Sequence, residues 1–75
     1  MKIDLSDLGA RWPSAMVFRR EVRKFTGGAY SGRYLANLDS RGEGPRNRVR
    51  IGRRIGYRVG DLVEWLEERA TALEN

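Results

Sequence analysis

Residues 48–60, Arg-Val-Arg-Ile-Gly-Arg-Arg-Ile-Gly-Tyr-Arg-Val-Gly, alternate arginine with β-branched residues around a Gly-Arg-Arg tip. A guanidinium is a planar fork of donors that binds a phosphate or a guanine edge bidentately. From Arg41 to Arg58 there are seven arginines, including Arg46, Arg48, Arg50, Arg53 and Arg54, against one acid, Glu43. Solubility alone does not require that density, so the pattern suits a polyanion. Just upstream, Arg33 and Asn37 are the side-chain types that pair with guanine and adenine edges. Ser31 adds a hydroxyl suited to phosphate, and Tyr34 and Arg41 share the same stretch. A second basic run, Arg19, Arg20, Arg23 and Lys24, offers weaker contacts of the backbone-phosphate kind.

Other chemistries are poorly served. There is no histidine and no cysteine, so the usual general base, thiolate nucleophile and soft metal ligands are missing. No catalytic residue, cofactor or metal is expected. Charge is segregated along the chain: from Val59 to Asn75 there are five acids and one base, although the net charge is +5. One face is therefore expected to attract polyanions and another to repel them. Seventy-five residues make one small domain. The opening Met-Lys-Ile-Asp-Leu-Ser-Asp-Leu lacks a signal-peptide core. No apolar run approaches the roughly 20 residues of a membrane span. A cytoplasmic protein without membrane contact is the expectation.

The elements that must position these side chains follow from spacing. Residues 1–13 read as an N-terminal extension, loosely packed, with Trp12 as an anchor and Pro13 as punctuation. Residues 14–75 read as the single domain. Two readings fit 14–26: a helix placing Ala15, Phe18, Val22 and Phe25 on one face, or a short strand at 15–18 with a helix from Arg19. In both, Val22 and Phe25 point inward, Arg19, Arg20, Arg23 and Lys24 face water or phosphate, and Gly27 ends the helix. Ser31 then caps a second helix, about 31–41, with Leu35 and Leu38 toward the core and Tyr30 plugging the turn. Two short helices across a tight turn form a helix-turn-helix pattern.

Residues 41–47 are a loop, with two glycines and a proline. Residues 48–59 form a hairpin. A three-residue loop, Gly52-Arg53-Arg54, would set Ile51 opposite Ile55 and turn both inward with Val49, Tyr57 and Val59. Arg48, Arg50 and Arg58 would then lie outside. A last helix over 61–73 would open on Asp61-Leu-Val-Glu64 as an acidic capping box. It would bury Leu62, Trp65, Leu66 and Leu73 and leave Glu67 and Glu68 outside.

Three segments in combination carry a resemblance: Leu35-Ala-Asn-Leu-Asp-Ser-Arg-Gly-Glu-Gly-Pro, Val49-Arg-Ile-Gly-Arg-Arg-Ile-Gly-Tyr-Arg-Val and Asp61-Leu-Val-Glu-Trp-Leu. Over residues 19–69 the chain resembles the small excisionase-like, MerR-type winged helix-turn-helix domains of bacteria and phages. The resemblance implies an α+β, mainly α, fold with a two- or three-stranded β wing and a C-terminal helix. It implies Ser31–Arg41 as a recognition helix in the major groove and Arg53-Arg54 as a wing tip on minor groove or backbone. The implied role is sequence-specific binding of double-stranded DNA in transcription regulation or excisionase-type control of recombination. The partners would be DNA and an integrase or RNA polymerase. The last helix is too short for a zipper, so a monomer that gains occupancy beside further copies of itself on DNA is expected. An RNA-binding or protein-interaction module is the alternative. The first is disfavoured because Tyr57, the one aromatic of the hairpin, is expected to face inward rather than stack on bases.

Overall fold

The computed structural model describes residues 3–73. In chain order these form helix α1 (Ser6–Ala10), strand β1 (Met16–Phe18), a single 3-10 turn (Arg19–Glu21) leading into helix α2 (Val22–Phe25), helix α3 (Gly32–Ser40), strands β2 (Val49–Ile51) and β3 (Arg54–Arg58), and helix α4 (Val59–Arg69). The protein is an α+β fold: among the described residues, four helices pack with a three-stranded antiparallel sheet of order β1-β3-β2. No helix among the described residues is long and apolar enough to cross a membrane.

Of the two readings of 14–26, the strand is the one that forms. Val17 pairs opposite Tyr57, and both are fully buried. Met16 and Phe18 take the other face of the sheet, where their side chains flank Gly56. Ala15 is exposed. Glu21 steadies the change of direction by accepting the Phe18 N–H at 3.1 Å. The helix then stops as the glycines require. Gly27 and Gly28 have φ of 66° and 93°, Gly28 N–H donates to Arg23 O (2.7 Å) and Gly27 N–H to Lys24 O (3.2 Å). That bond pair is a Schellman motif. Tyr30 occupies the turn, half-buried, with its N–H on the Thr26 hydroxyl at 3.1 Å. Ser31 caps α3, its Oγ accepting the Tyr34 N–H at 3.1 Å.

The hairpin departs from the expected register. Val49 pairs with Gly56, Arg50 with Ile55 and Ile51 with Arg54, so the loop is the two residues Gly52-Arg53. Gly52 has φ 62° and Arg53 does not share that positive φ. A glycine at the first central position of a two-residue loop specifies a type II′ turn, and this local demand outweighs pairing the two isoleucines. Arg53 is at the tip as expected, but Arg54 opens β3. Ile51 is 54% exposed rather than in the core. Alternation along the paired strands puts Arg50 on the Tyr57 face and Arg58 on the opposite one, so the shared outer face expected for these arginines does not form.

Helix α4 also differs from expectation. It begins at Val59, directly after β3, and ends at Arg69. Asp61 therefore lies inside the first turn instead of capping it, and Arg58 stands at the N-cap without a side-chain bond. Leu62, Val63, Trp65 and Leu66 are buried, while Leu73 lies beyond the helix at 87% exposure. Glu67 is not free: its Oε2 accepts the Leu5 N–H at 2.7 Å. Residues 3–13 are more than a loose extension. Leu5, Leu8 and Trp12 pack on the core. Gly9 brings α1 so near α4 that an added Cβ would lie 2.8 Å from Val59 Cγ1. Trp12 meets Phe25 edge-on at 5.1 Å and donates its indole N–H to Met16 O at 2.8 Å.

Two glycines give opposite expectations. A Cβ on Gly32 would overlap the backbone carbonyl of Arg19, whereas Gly60 of α4 faces open space. Gly32→Ala should cost about 2–3 kcal/mol through overpacking, and Gly60→Ala should gain about 0.5–1 kcal/mol. Thermal melts are expected to move in opposite directions, by roughly 4–8 °C per kcal/mol for a domain of this size.

Candidate nucleic-acid interface

Helix α3 buries Leu35, Leu38 and Asp39 and exposes Arg33, Asn37 and Ser40. The exposed three recur at i, i+4 and i+7 and form one ridge. Beside that ridge, three shallow depressions adjoin one another. The first lies between α3 and the hairpin, lined by Ala36, Asp39, Ser40, Arg48, Arg50 and Arg19. The second runs along the hairpin tip, with Phe18, Arg20, Arg53, Arg54 and again Arg19. The third sits at the start of α3, with Arg20, Arg23, Ser31, Gly32, Arg33, Ala36 and again Arg19. Six arginines expected from sequence to meet a polyanion, Arg20, Arg23, Arg33, Arg48, Arg53 and Arg54, thus line one concave band with Arg50. Of the exposed acids among the described residues, Asp4, Asp7, Glu64 and Glu68 belong to α4 and the N-terminal segment, which contribute no residue to the band, and Glu43 sits in the loop after α3 beside Arg41.

Other expected residues fall at its margin or away from it. Arg46 lines a smaller depression with Gly42, Gly44 and Pro45, joined to the band through Arg48, which lines both. Arg41 is exposed and 3.8 Å from Glu43. Lys24 is exposed on α2 and lines none of these depressions. Tyr34 stacks on Tyr30, with ring centroids 5.3 Å apart, and Tyr30 meets Trp65 edge-on at 5.4 Å. The Arg69 guanidinium covers the Trp65 ring at 4.5 Å. Tyr34 is therefore part of an aromatic cluster toward α4.

Arg19 does not face water in the way its neighbours do. Its Nη2 donates to Asp39 Oδ2 at 2.7 Å and its Nε to the Tyr57 hydroxyl at 3.1 Å. The Tyr57 hydroxyl in turn donates to the same carboxylate oxygen at 2.6 Å. Arg48 donates to the Asp39 carbonyl at 3.2 Å and approaches Oδ1 at 3.8 Å. Gly44 packs so tightly on the carboxylate that an added Cβ would overlap Oδ1. Asp39 has a side chain only 3% exposed. It ties α3, the turn after β1, the central strand and the loop before β2 at one point. Sequence reading missed it, although a signal exists: Asp39 continues the buried face of Leu35 and Leu38 at i+4 and i+1. An acid on that face of a basic protein requires cationic partners.

Burial pushes the Tyr57 phenol up to about 12; Arg19 opposes that rise and Asp39 reinforces it. Burial acts to lower the Arg19 value, but its bonds to Tyr57 and Asp39 outweigh this, and the guanidinium ends above its ordinary value. Among the described residues no group of three or more acids could hold a metal ion. No family model matches the chain, and neither a curated protein nor a solved structure matches it.

Two outcomes are expected. Asp39→Ala strands the Arg19 guanidinium and the Tyr57 hydroxyl, and breaking one side of a buried pair costs about 3–5 kcal/mol. Urea titration should show a loss of that order, a large share of the stability of a domain this small. Tyr57 also predicts an alkaline limit. An acid raised in the folded state contributes stability in full below its unfolded value near 10 and loses it as pH climbs to about 12. Stability should fall across that window, and Tyr57→Phe should remove that part of the fall. The tyrosinate absorbance of the folded variant should lack a late step.

Proposed function

We propose that this chain is a sequence-specific double-stranded DNA-binding protein of the winged helix-turn-helix kind. The observation that carries the reading is the joining of the Arg33-Asn37-Ser40 ridge of α3 to the arginine-lined band under the hairpin. Helix α3 is the recognition helix: nine residues span roughly 13 Å, enough to lie across a major groove. Arg33 and Asn37 read base edges from it. Ser31, with Arg20 and Arg23 beside the helix start, grips phosphate. The hairpin β2–β3 is the wing, with Arg53 at the tip and Arg54 and Arg48 behind it on minor groove or backbone.

The element order supports this reading. A helix and strand precede the helix-turn-helix pair, and the hairpin follows with the first strand completing its sheet. The hairpin also speaks against an RNA reader. Its aromatic, Tyr57, is fully buried and committed to Asp39, so no base-stacking platform is offered there. The biological setting that fits is control of transcription or of site-specific recombination, with RNA polymerase or an integrase as the protein partner.

Selection of bound sequences from random duplex DNA tests the proposal directly, and a defined motif is the expected result. Binding to that motif should weaken with salt at a log–log slope near −4 to −5 if about four to six phosphates are neutralised. Arg33→Ala or Asn37→Ala should cost about 1–3 kcal/mol on the motif and relax its sequence preference. Arg53→Ala with Arg54→Ala should weaken motif and scrambled duplexes alike and flatten the salt slope by about 2. A slope near zero would overturn the DNA reading. Equal losses for both variant classes on both duplexes would overturn the division between helix and wing.

A further inference from the structure

Arg19 differs from the exposed arginines around it. It lines all three depressions of the basic band, so it stands where the flank of α3, the hairpin and the Arg20–Arg23 side meet. Its guanidinium is held on one edge. Nη2 is bound to Asp39 and Nε to Tyr57, and both partners are buried. Among the described residues those bonds leave Nη1 and its two protons without a partner, and the side chain is 28% exposed. On the helix side the depressions are lined by Ser31, Gly32, Arg33, Ala36, Asp39 and Ser40, of which Gly32 and Ala36 have almost no side chain to overhang them.

We propose that Arg19 is a preorganised anchor for one backbone phosphate, the phosphodiester that runs between the groove entered by α3 and the groove touched by the hairpin. The assignment rests on the duplex-binding reading above and extends it. A helix in the major groove and a wing in the adjacent minor groove must straddle one sugar-phosphate strand. The residue between the two elements meets that strand and no base edge. A surface arginine must surrender much rotamer freedom to make such a contact, whereas Asp39 and Tyr57 have already fixed this one. Asp39 offsets one unit of charge, but Arg20, Arg48, Arg50, Arg53 and Arg54 line the same depressions and keep the site cationic. Asp39 and Tyr57 are thus positioning residues, acting on DNA only through Arg19.

The test is a methylphosphonate scan of the duplex motif obtained by selection, in which single phosphates are replaced by neutral ones. At one position between the helix and wing footprints, neutralisation should weaken the wild-type protein about tenfold, the scale of one charge-assisted hydrogen bond. The same replacement should weaken Arg19→Gln by less than about threefold, since the contact is already gone. Should Arg19→Gln fail to fold, Tyr57→Phe, which keeps the Asp39 bond, should show a reduced effect at the same phosphate. A wild-type scan with no such position overturns the proposal without any variant. So does a position where variant and wild type lose equally. A wild-type protein that selects no duplex sequence overturns the DNA reading itself, and the two failures are thereby told apart.

Discussion

A single carboxylate, that of Asp39, holds together the parts of this protein that carry its positive charge. The chain has 15 basic residues and 10 acids, and the counter-charge beneath the basic band is one buried acid. Asp39 supplies that charge from the buried face of α3, 3% exposed, with Arg19 and Tyr57 on one oxygen and Arg48 near the other. A buried ion pair is a weak source of net stability, because desolvation offsets most of its attraction. What it adds is placement. Four parts of the chain, α3, the turn after β1, the central strand and the loop before β2, are fixed relative to one another at one point, and the arginines above that point inherit the arrangement.

How much of this was legible in the sequence depended on whether the governing physics was local. The Gly27-Gly28 stop, the Ser31 cap and the inward turn of Leu35 and Leu38 are decided within one helical turn, and they stand in the structure as read. The hairpin was also legible as an element, but its register was argued from matching apolar residues across strands. The register is set instead by Gly52, whose positive φ selects the turn. The Ile51 face is not covered either: the described residues leave Ile51 exposed.

The candidate site divides in the same way. The arginines announced themselves by number, and most of them line one band. Arg19 was counted with its neighbours because nothing in residues 19–24 distinguishes it from Arg20; the distinction comes from Asp39 and Tyr57, 20 and 38 positions away. Tyr34 remains 38% exposed and lines a depression with Arg23 and Ser31, while its ring stacks on Tyr30, a pairing that helix periodicity does not reveal because Tyr30 lies outside the helix. The packing of α1 was invisible for a related reason: a five-residue helix has little periodicity of its own, and Gly9 gains meaning only against Val59.

The junction of β3 and α4 limits how this chain can vary in length. Arg58 ends the strand and Val59 begins the helix with no residue between them, while the Val59 N–H is already bound to Ala15 O at 3.0 Å. One residue inserted there would rotate α4 by about 100°. Leu62, Trp65 and Leu66 would swing out of the core, and the Trp65 indole would lose its bond to Glu43 O at 3.0 Å. Natural or engineered insertions must therefore enter elsewhere, most readily at the hairpin tip, where Gly52 and Arg53 bear no packing. Homologous chains would then be expected to differ in the length of the wing while keeping the strand–helix seam invariant to the residue.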